Sequence, residues 1–305
     1  MNKQEFTDAR TGERCVRIDH PSGLTIFVYP KPDYASSYAV FTTRYGSIDN
    51  VFRIGDDAEE TAVPAGIAHY LEHKLFESED GDAFERYAAT GASANAFTSF
   101  DRTTYLFTCT GDVRPSLDIL LDFVQHPYFT EQTVQKEQGI IGQEIKMCND
   151  SPARCVFLNM LEGLYHTHPV RIDIAGTVAS IAEITPELLY GCYRSFYNLH
   201  NMVLAVSGRV TVEQVLEIAD KRLRPAADWS LARKTYDEPR TALRTRVEQA
   251  MPVAAPLFYL GFKDAVAPGE YPSPTREMAA DVLLDLIGGR SSALYARLME
   301  QGLIN

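Results

Sequence analysis

Apolar residues recur along this chain with two periods, and the change from one to the other divides it into strands and helices. Alternation and β-prone residues predict strands over 15–18, 24–29 and 38–45, with Pro21, Ser22 and Gly23 supplying a turn. A hairpin is predicted from 95–99 to 103–110, around Phe100, Asp101 and Arg102. Helical spacing predicts helices over 82–90, 115–125, 131–147, 155–165, 186–196 and 212–223, with one further strand over 202–207. Strands followed by runs of helices read as α+β. Between 224 and 245 the chain is rich in charge, alanine and proline without periodicity, which predicts a linker. A strand over 257–262 then opens a second unit, so the expected division is 1–223, a linker at 224–245, and 246–305.

Two of these helices carry polar residues that ordinary amphipathic patterning does not explain. In the helix starting near residue 67, Ile67, Leu71 and Leu75 form an apolar stripe, Pro64 suits the first turn, and His69, Glu72 and His73 fall on another face. Residues four apart lie one above the other, so both imidazoles can reach one metal ion with Glu72 beside them. Two imidazoles and a carboxylate at this spacing are what a zinc-activated water needs, and they point to a metallopeptidase.

Zinc sites that do chemistry take three protein ligands, so another donor is required. On the helix over 131–147, Val134, Ile140, Ile141 and Ile145 share one side, and Glu137 and Glu144 fall within that apolar sector. Lys136, Gln138, Gln143 and Lys146 occupy the opposite face. Buried carboxylates need a cation or a metal. Taken alone, Glu137 and Glu144 also fit a reading in which they snorkel at the stripe's margin or pair with arginines. Beside the His-Glu-His helix, the metal reading takes precedence.

The inverted motif His69-Tyr70-Leu71-Glu72-His73 resembles that of the pitrilysin/insulinase family of zinc peptidases. Residues 91–99 are similar to that family's substrate-binding strand, and Glu137 with Glu144 matches its pair of glutamates on one helix. His168-Pro169-Val170, Gly176-Thr177, the run 201–205 and Gly208 extend the likeness. The segments 45–50, 73–77, 80–103 and 137–147 look closest to a bacterial branch similar to mitochondrial processing peptidase.

The resemblance implies a zinc endopeptidase acting on unfolded or extended peptides, with one Zn2+ per chain held by His69, His73 and Glu144. It implies Glu72 as general base on a zinc-bound water, passing the proton to the leaving amine. Glu137 is the second candidate catalytic carboxylate, holding a ligand imidazole or adding charge behind the metal. Asn95, Ala96, Phe97 and Thr98 would line the substrate backbone, a peptide adding to the hairpin's edge as an extra strand. For Phe97 and Tyr105, plain strand packing is the alternative.

The implied fold is a half-clamshell domain, an antiparallel-rich mixed sheet covered by helices, followed by the beginning of a second, similar domain. In that second part the helix over 275–287, Gly288 to Ser292 and the run to Leu298 fit the family, but more than half the expected length is lacking. The family's substrate-clamping arginine and tyrosine therefore have no positions here. The expectation is intact zinc coordination, with cleavage that does not follow from residues 1–305 alone. A homodimer, or a heterodimer with a related subunit, is the expected partnership. A non-catalytic peptide-binding or scaffolding subunit is the competing function, against which the complete set His69, Glu72, His73 and Glu144 argues.

Composition narrows the rest. A hydrophobic content of 45% in 305 residues is ordinary for a globular protein of about two domains. The net charge of −12 argues against a phosphate-binding surface, hence no nucleic acid, and allows an acidic chamber that attracts basic peptides. Five cysteines, odd in number and without C-x-x-C spacing, argue for reduced thiols. With no apolar leader in the first 15 residues and no run approaching 18 apolar residues, neither a signal peptide nor a membrane span is expected, and the location expected is cytoplasmic. His166 and His168, two apart, raise a second metal pair; they lack an acidic partner nearby, so loop or core histidines are the preferred reading.

Overall fold

The computed structural model describes residues 1–55, 59–79, 81–264 and 273–304. Four strands come first: β1 (Asn2–Thr7), β2 (Arg14–Asp19), β3 (Thr25–Pro30) and β4 (Ser36–Thr43), then short β5 (Val51–Ile54) and β6 (Thr61–Ala62). Helix α1 (Ile67–Leu75) follows, then the small ladder β7 (Glu77–Ser78) and β8 (Gly81–Asp82), helix α2 (Ala83–Thr90), and the hairpin β9 (Ser93–Thr98) and β10 (Thr103–Thr110). Helices α3 (Arg114–Phe123), α4 (Glu131–Asn149), α5 (Pro152–Leu164), α6 (Val178–Ile181) and α7 (Pro186–Phe196) lead to β11 (Met202–Gly208) and α8 (Val212–Arg222). Strand β12 (Leu231–Arg233) and helices α9 (Pro274–Gly288) and α10 (Ala293–Glu300) complete the order.

Seven strands form the main sheet in the order β1-β2-β3-β11-β4-β10-β9. Only β3 and β11 run parallel; the other neighbours are antiparallel. Alternation decides its two faces: Ile26, Val28, Ala39, Phe41, Tyr105, Phe107, Leu204 and Val206 are buried, while Tyr29, Tyr38 and Val203 between them are exposed. Helices α1, α3 and α8 pack against sheet strands, and α1 also packs on α7 and α4. The architecture is therefore an antiparallel-rich mixed sheet with helices over it, an α+β fold. Strand β9 ends the sheet and leaves one edge without a strand neighbour among the described residues.

Helix starts are set by side chains that the pattern places correctly. Asp82 caps α2 by accepting from Phe84 N, and Thr130 and Thr211 close reciprocal capping boxes on α4 and α8. Helix α1 instead begins after Gly66 at φ 94°, where a Cβ would come within 2.5 Å of the Ala175 carbonyl oxygen. Gly176, at φ 72°, meets the Ala65 carbonyl in the same way, so two glycines lock the start of α1 against the 173–177 turn. Pro64 lies before the helix rather than in its first turn.

The chain divides into two compact units, Met1–Gly261 and Phe262–Asn305. The stretch expected as a linker, 224–245, lies within the first unit and is tied to it. Strand β12 pairs with β5, Arg233 bonds Asp49 at 2.8 Å, and Arg244 N donates to Gly163 O at 2.8 Å. Beyond it, Asn159 Nδ2 donates to Gln249 Oε1 at 2.9 Å, and the rings of Phe157 and Tyr259 meet at 6.3 Å. The strand expected over 257–262 does not form: those residues have no ladder partner among the described residues, and Leu257, Phe258, Tyr259, Leu260 and Phe262 are exposed. β-prone residues make a strand only where another strand supplies hydrogen bonds. In the second unit, α9 forms where the family resemblance implies a helix, and none of its residues is buried.

Candidate metal centre

Helix α1 is buried on more sides than its stripe predicts, because Ala68, Tyr70, Glu72 and Lys74 are buried along with Ile67, Leu71 and Leu75. Tyr70 donates its hydroxyl to the Val134 carbonyl, fastening α1 to α4. Lys74 is fully enclosed and pairs with Glu77 one turn on. This clamping turns the His-Glu-His edge of α1 toward α4.

On α4 the packed residues are Val134, Ile141, Gly142 and Ile145; Ile140, expected in the stripe, is 49% exposed. Its position at the stripe's edge leaves it outside the contact with α1. Gln138, expected on the solvent face, donates to the Ile181 carbonyl at 3.0 Å. Glu137 and Glu144 both lie toward α1, with side chains 13% and 33% exposed.

The two helices bring three donors together: His69, His73 and Glu144 offer ligand atoms that lie within 4.8 Å of one another. The Nε2 atoms of His69 and His73 stand 3.6 and 3.5 Å from the two oxygens of Glu144. Two nitrogen donors from α1 and one carboxylate from α4 fit a divalent zinc ion with a further coordination position left over. Among the described residues, this is the group that could hold a metal ion.

The carboxylates around the triplet divide the remaining work. Glu137 Oε1 lies 3.0 Å from His73 Nδ1, which orients that ring so that Nε2 faces Glu144. His69 has no such support: its buried Nδ1 has no hydrogen-bond partner among the described residues. Glu72 is 8% exposed and accepts from Thr98 Oγ1 at 2.7 Å through Oε2. Thr98 is thus bonded to Glu72, while Asn95 and Phe97 are exposed on β9 and Ala96 is half-buried.

Ionisation follows this geometry. Burial pushes the His69 imidazole down to about 4, helped by the neighbouring His73 charge. For His73, burial acts downward too, but the Glu137 hydrogen bond and the surrounding carboxylates outweigh it and raise the imidazole above its ordinary value. Burial raises the Glu72 carboxyl, against the opposing pull of Thr98 and His73. For Glu137, burial acts upward, but the His73 hydrogen bond and the charges of His73, Lys74 and Lys136 together outweigh it and lower the carboxyl. Two imidazoles and three carboxylates thus crowd one largely enclosed corner, a donor set whose carboxylates a divalent cation would offset.

The other residues singled out by the sequence are put to structural use. Tyr105 is fully buried, its hydroxyl 2.8 Å from that of Tyr197, so the packing alternative holds for it. His166 Nε2 faces the Thr241 carbonyl at 3.1 Å, and His168 Nδ1 accepts from Val170 N at 3.2 Å. All five cysteines are free, with Cys15, Cys109 and Cys192 buried. No helix among the described residues is long and apolar enough to cross a membrane.

An edge strand, a buried carboxylate bonded to it and a His-His-Glu cluster held by two packed helices make up the candidate site. Comparison with known sequences agrees. Residues 51–178 match the family model for insulinase, peptidase family M16, and residues 183–305 match that for the peptidase M16 inactive domain. The uncharacterized zinc protease YmfH of Bacillus subtilis is 46% identical over 295 residues, covering 93% of this chain and 67% of YmfH. An uncharacterized zinc protease of Rickettsia felis is 28% identical over 206 residues, covering 66% of this chain and 47% of its own length. A crystal structure of an M16-like peptidase from Alicyclobacillus acidocaldarius superposes with a TM-score of 0.85 at 36% identity, covering 100% of this chain and 69% of that one. The chain belongs to peptidase family M16, the insulinase and pitrilysin family. It spans about two thirds of YmfH and about half of the Rickettsia relative. Every residue of the candidate centre precedes the inactive-domain match.

Proposed function

We propose that this protein is a zinc-dependent endopeptidase that cleaves extended peptides laid along the edge of β9. The observation that carries this reading is the bond from Thr98, on that edge strand, to Glu72, beside the His-His-Glu cluster. A buried carboxylate that is bonded to the edge strand and precedes the donor His73 in α1 supports this reading.

When bound by His69, His73 and Glu144, zinc lowers the pKa of water toward about 7 and polarises the peptide carbonyl. A peptide pairing with β9 would be held by main-chain hydrogen bonds, so sequence preference would come from side chains such as Phe97 rather than from the backbone contact. Glu72 takes the proton from the attacking water and returns it to the leaving amine; its raised carboxyl suits both halves of that transfer. Glu137 keeps His73 in the tautomer that presents Nε2 to the metal position.

Incubation of the protein with an unstructured peptide library, with and without a zinc chelator and alongside Glu72→Gln, tests this by mass spectrometry of the products. Cuts that need zinc and vanish in Glu72→Gln are expected. Cuts that survive either treatment, or none at all from the zinc-loaded chain, would reject the reading for this chain.

A further inference from the structure

We infer that Thr98 is the positioning residue for Glu72, and that it makes the placement of the base depend on the strand that receives the peptide. This rests on the peptidase reading above and adds to it a role for a side chain expected only to contact substrate.

Thr98 is the last residue of β9, the edge strand, and Thr103 is the first of β10, directly opposite it in the ladder. Their hydroxyls lie 3.4 Å apart. Thr103 is fully buried and donates its proton to the Tyr45 carbonyl at 2.9 Å, so it has no proton left for Thr98. The Thr98 proton therefore goes to the shorter, charged acceptor, Glu72 Oε2 at 2.7 Å. Behind this pair the core is rigid: Tyr105, two residues along β10, is fully buried and bonded to Tyr197 at 2.8 Å.

One oxygen of Glu72 is thereby anchored and the other is left to work. The anchor belongs to the strand whose outer edge would pair with a peptide, while His69 and His73 are carried by α1 itself. A peptide that completes the ladder on β9 would hold Thr98, and so Glu72, in place; an unpaired edge would hold them less firmly. Zinc binding does not pass through this contact, because neither Thr98 nor Glu72 is among the donors His69, His73 and Glu144.

The test uses the full chain with Thr98→Val, which keeps the shape and removes the hydroxyl, and Thr98→Ser, which restores it. Zinc content, peptide KM and kcat are measured for each. A kcat lowered about 10- to 100-fold in Thr98→Val, with zinc content and KM unchanged and activity recovered in Thr98→Ser, is expected. An unchanged kcat, or a loss confined to KM or to zinc content, would overturn the proposal. A thermal-unfolding cycle of Thr98→Val with Glu72→Ala reads the contact without activity: the two shifts are expected to be non-additive, and additive shifts would reject it. An inert wild type with non-additive shifts would count against the peptidase reading while supporting the Thr98–Glu72 link.

Discussion

His69 and His73 lie four apart on a helix clamped between other elements; His166 and His168 lie two apart in a loop between α5 and the short turn at Pro169–Arg171. The first pair directs both Nε2 atoms at one carboxylate, with a second carboxylate behind His73. The loop segment also meets a carboxylate, Glu238, but through its backbone: His166 N, Thr167 N and His168 N donate to Glu238 at 2.8 Å each. Its imidazoles are spent on the Thr241 carbonyl and the Val170 amide. The same residue types thus converge on one carboxylate, as a cation site would require, when the helix stacks them, and face backbone groups when a loop turns them apart. What separates the two is which atoms are left without a partner once the chain has folded.

Removing a donor should separate the pairs most sharply. His73→Ala or Glu144→Ala is expected to abolish zinc uptake and with it any cleavage, whereas His166→Ala and His168→Ala keep about one zinc per chain. Metal analysis of the purified variants decides it, and zinc lost equally from both sets would erase the distinction between the two pairs.

Next in size is Glu72→Gln, expected to slow peptide cleavage roughly 10²- to 10⁴-fold with zinc retained, as for loss of a general base. Single-turnover cleavage beside a zinc assay checks both halves. A variant that lost metal and rate together would place Glu72 among the ligands instead.

A smaller effect is expected at Glu137. Replacing it by Gln removes the charged partner of His73 and is expected to weaken zinc binding about 10- to 100-fold. Competition with a chelator of known affinity measures this, and an unchanged affinity would show that His73 needs no support.

The smallest effect belongs to the loop. Glu238→Ala leaves three backbone amides without their acceptor and is expected to cost about 1 kcal/mol, an unfolding shift of roughly 2–4 °C, with zinc affinity unaltered. Calorimetry with and without zinc separates stability from binding at this position.

Much of the centre is legible in the sequence. The four-residue spacing of His69 and His73 and the placement of Glu144 on an apolar sector state a metal site in local terms, and α1 and α4 bring those residues together. Strands β2, β3, β4, β9, β10 and β11 and helices α2 to α5, α7 and α8 fall close to where the sequence predicts them, whereas β1 is not among its predictions. Less legible are contacts whose partners are distant in the chain. Nothing in its neighbourhood marks Thr98 as the partner of Glu72, and residues 231–233, within the expected linker, become a strand only because β5 lies beside them. Conversely, residues 257–262 have the composition of a strand and remain exposed without one.

By itself, then, the sequence determined most of the helices and strands and much of which side chains share a face, because those follow from a repeat of 3.6 or 2 residues along a single stretch. Tertiary structure alone decided which carboxylate meets which imidazole or hydroxyl, which strand stands at the sheet's edge, and which histidines are used up in folding. Those outcomes depend on closing loops between segments far apart in the chain, as in Glu72 with Thr98 or His73 with Glu137. Local periodicity carries no term for such a closure; it is set by which surfaces bury each other when the whole domain packs.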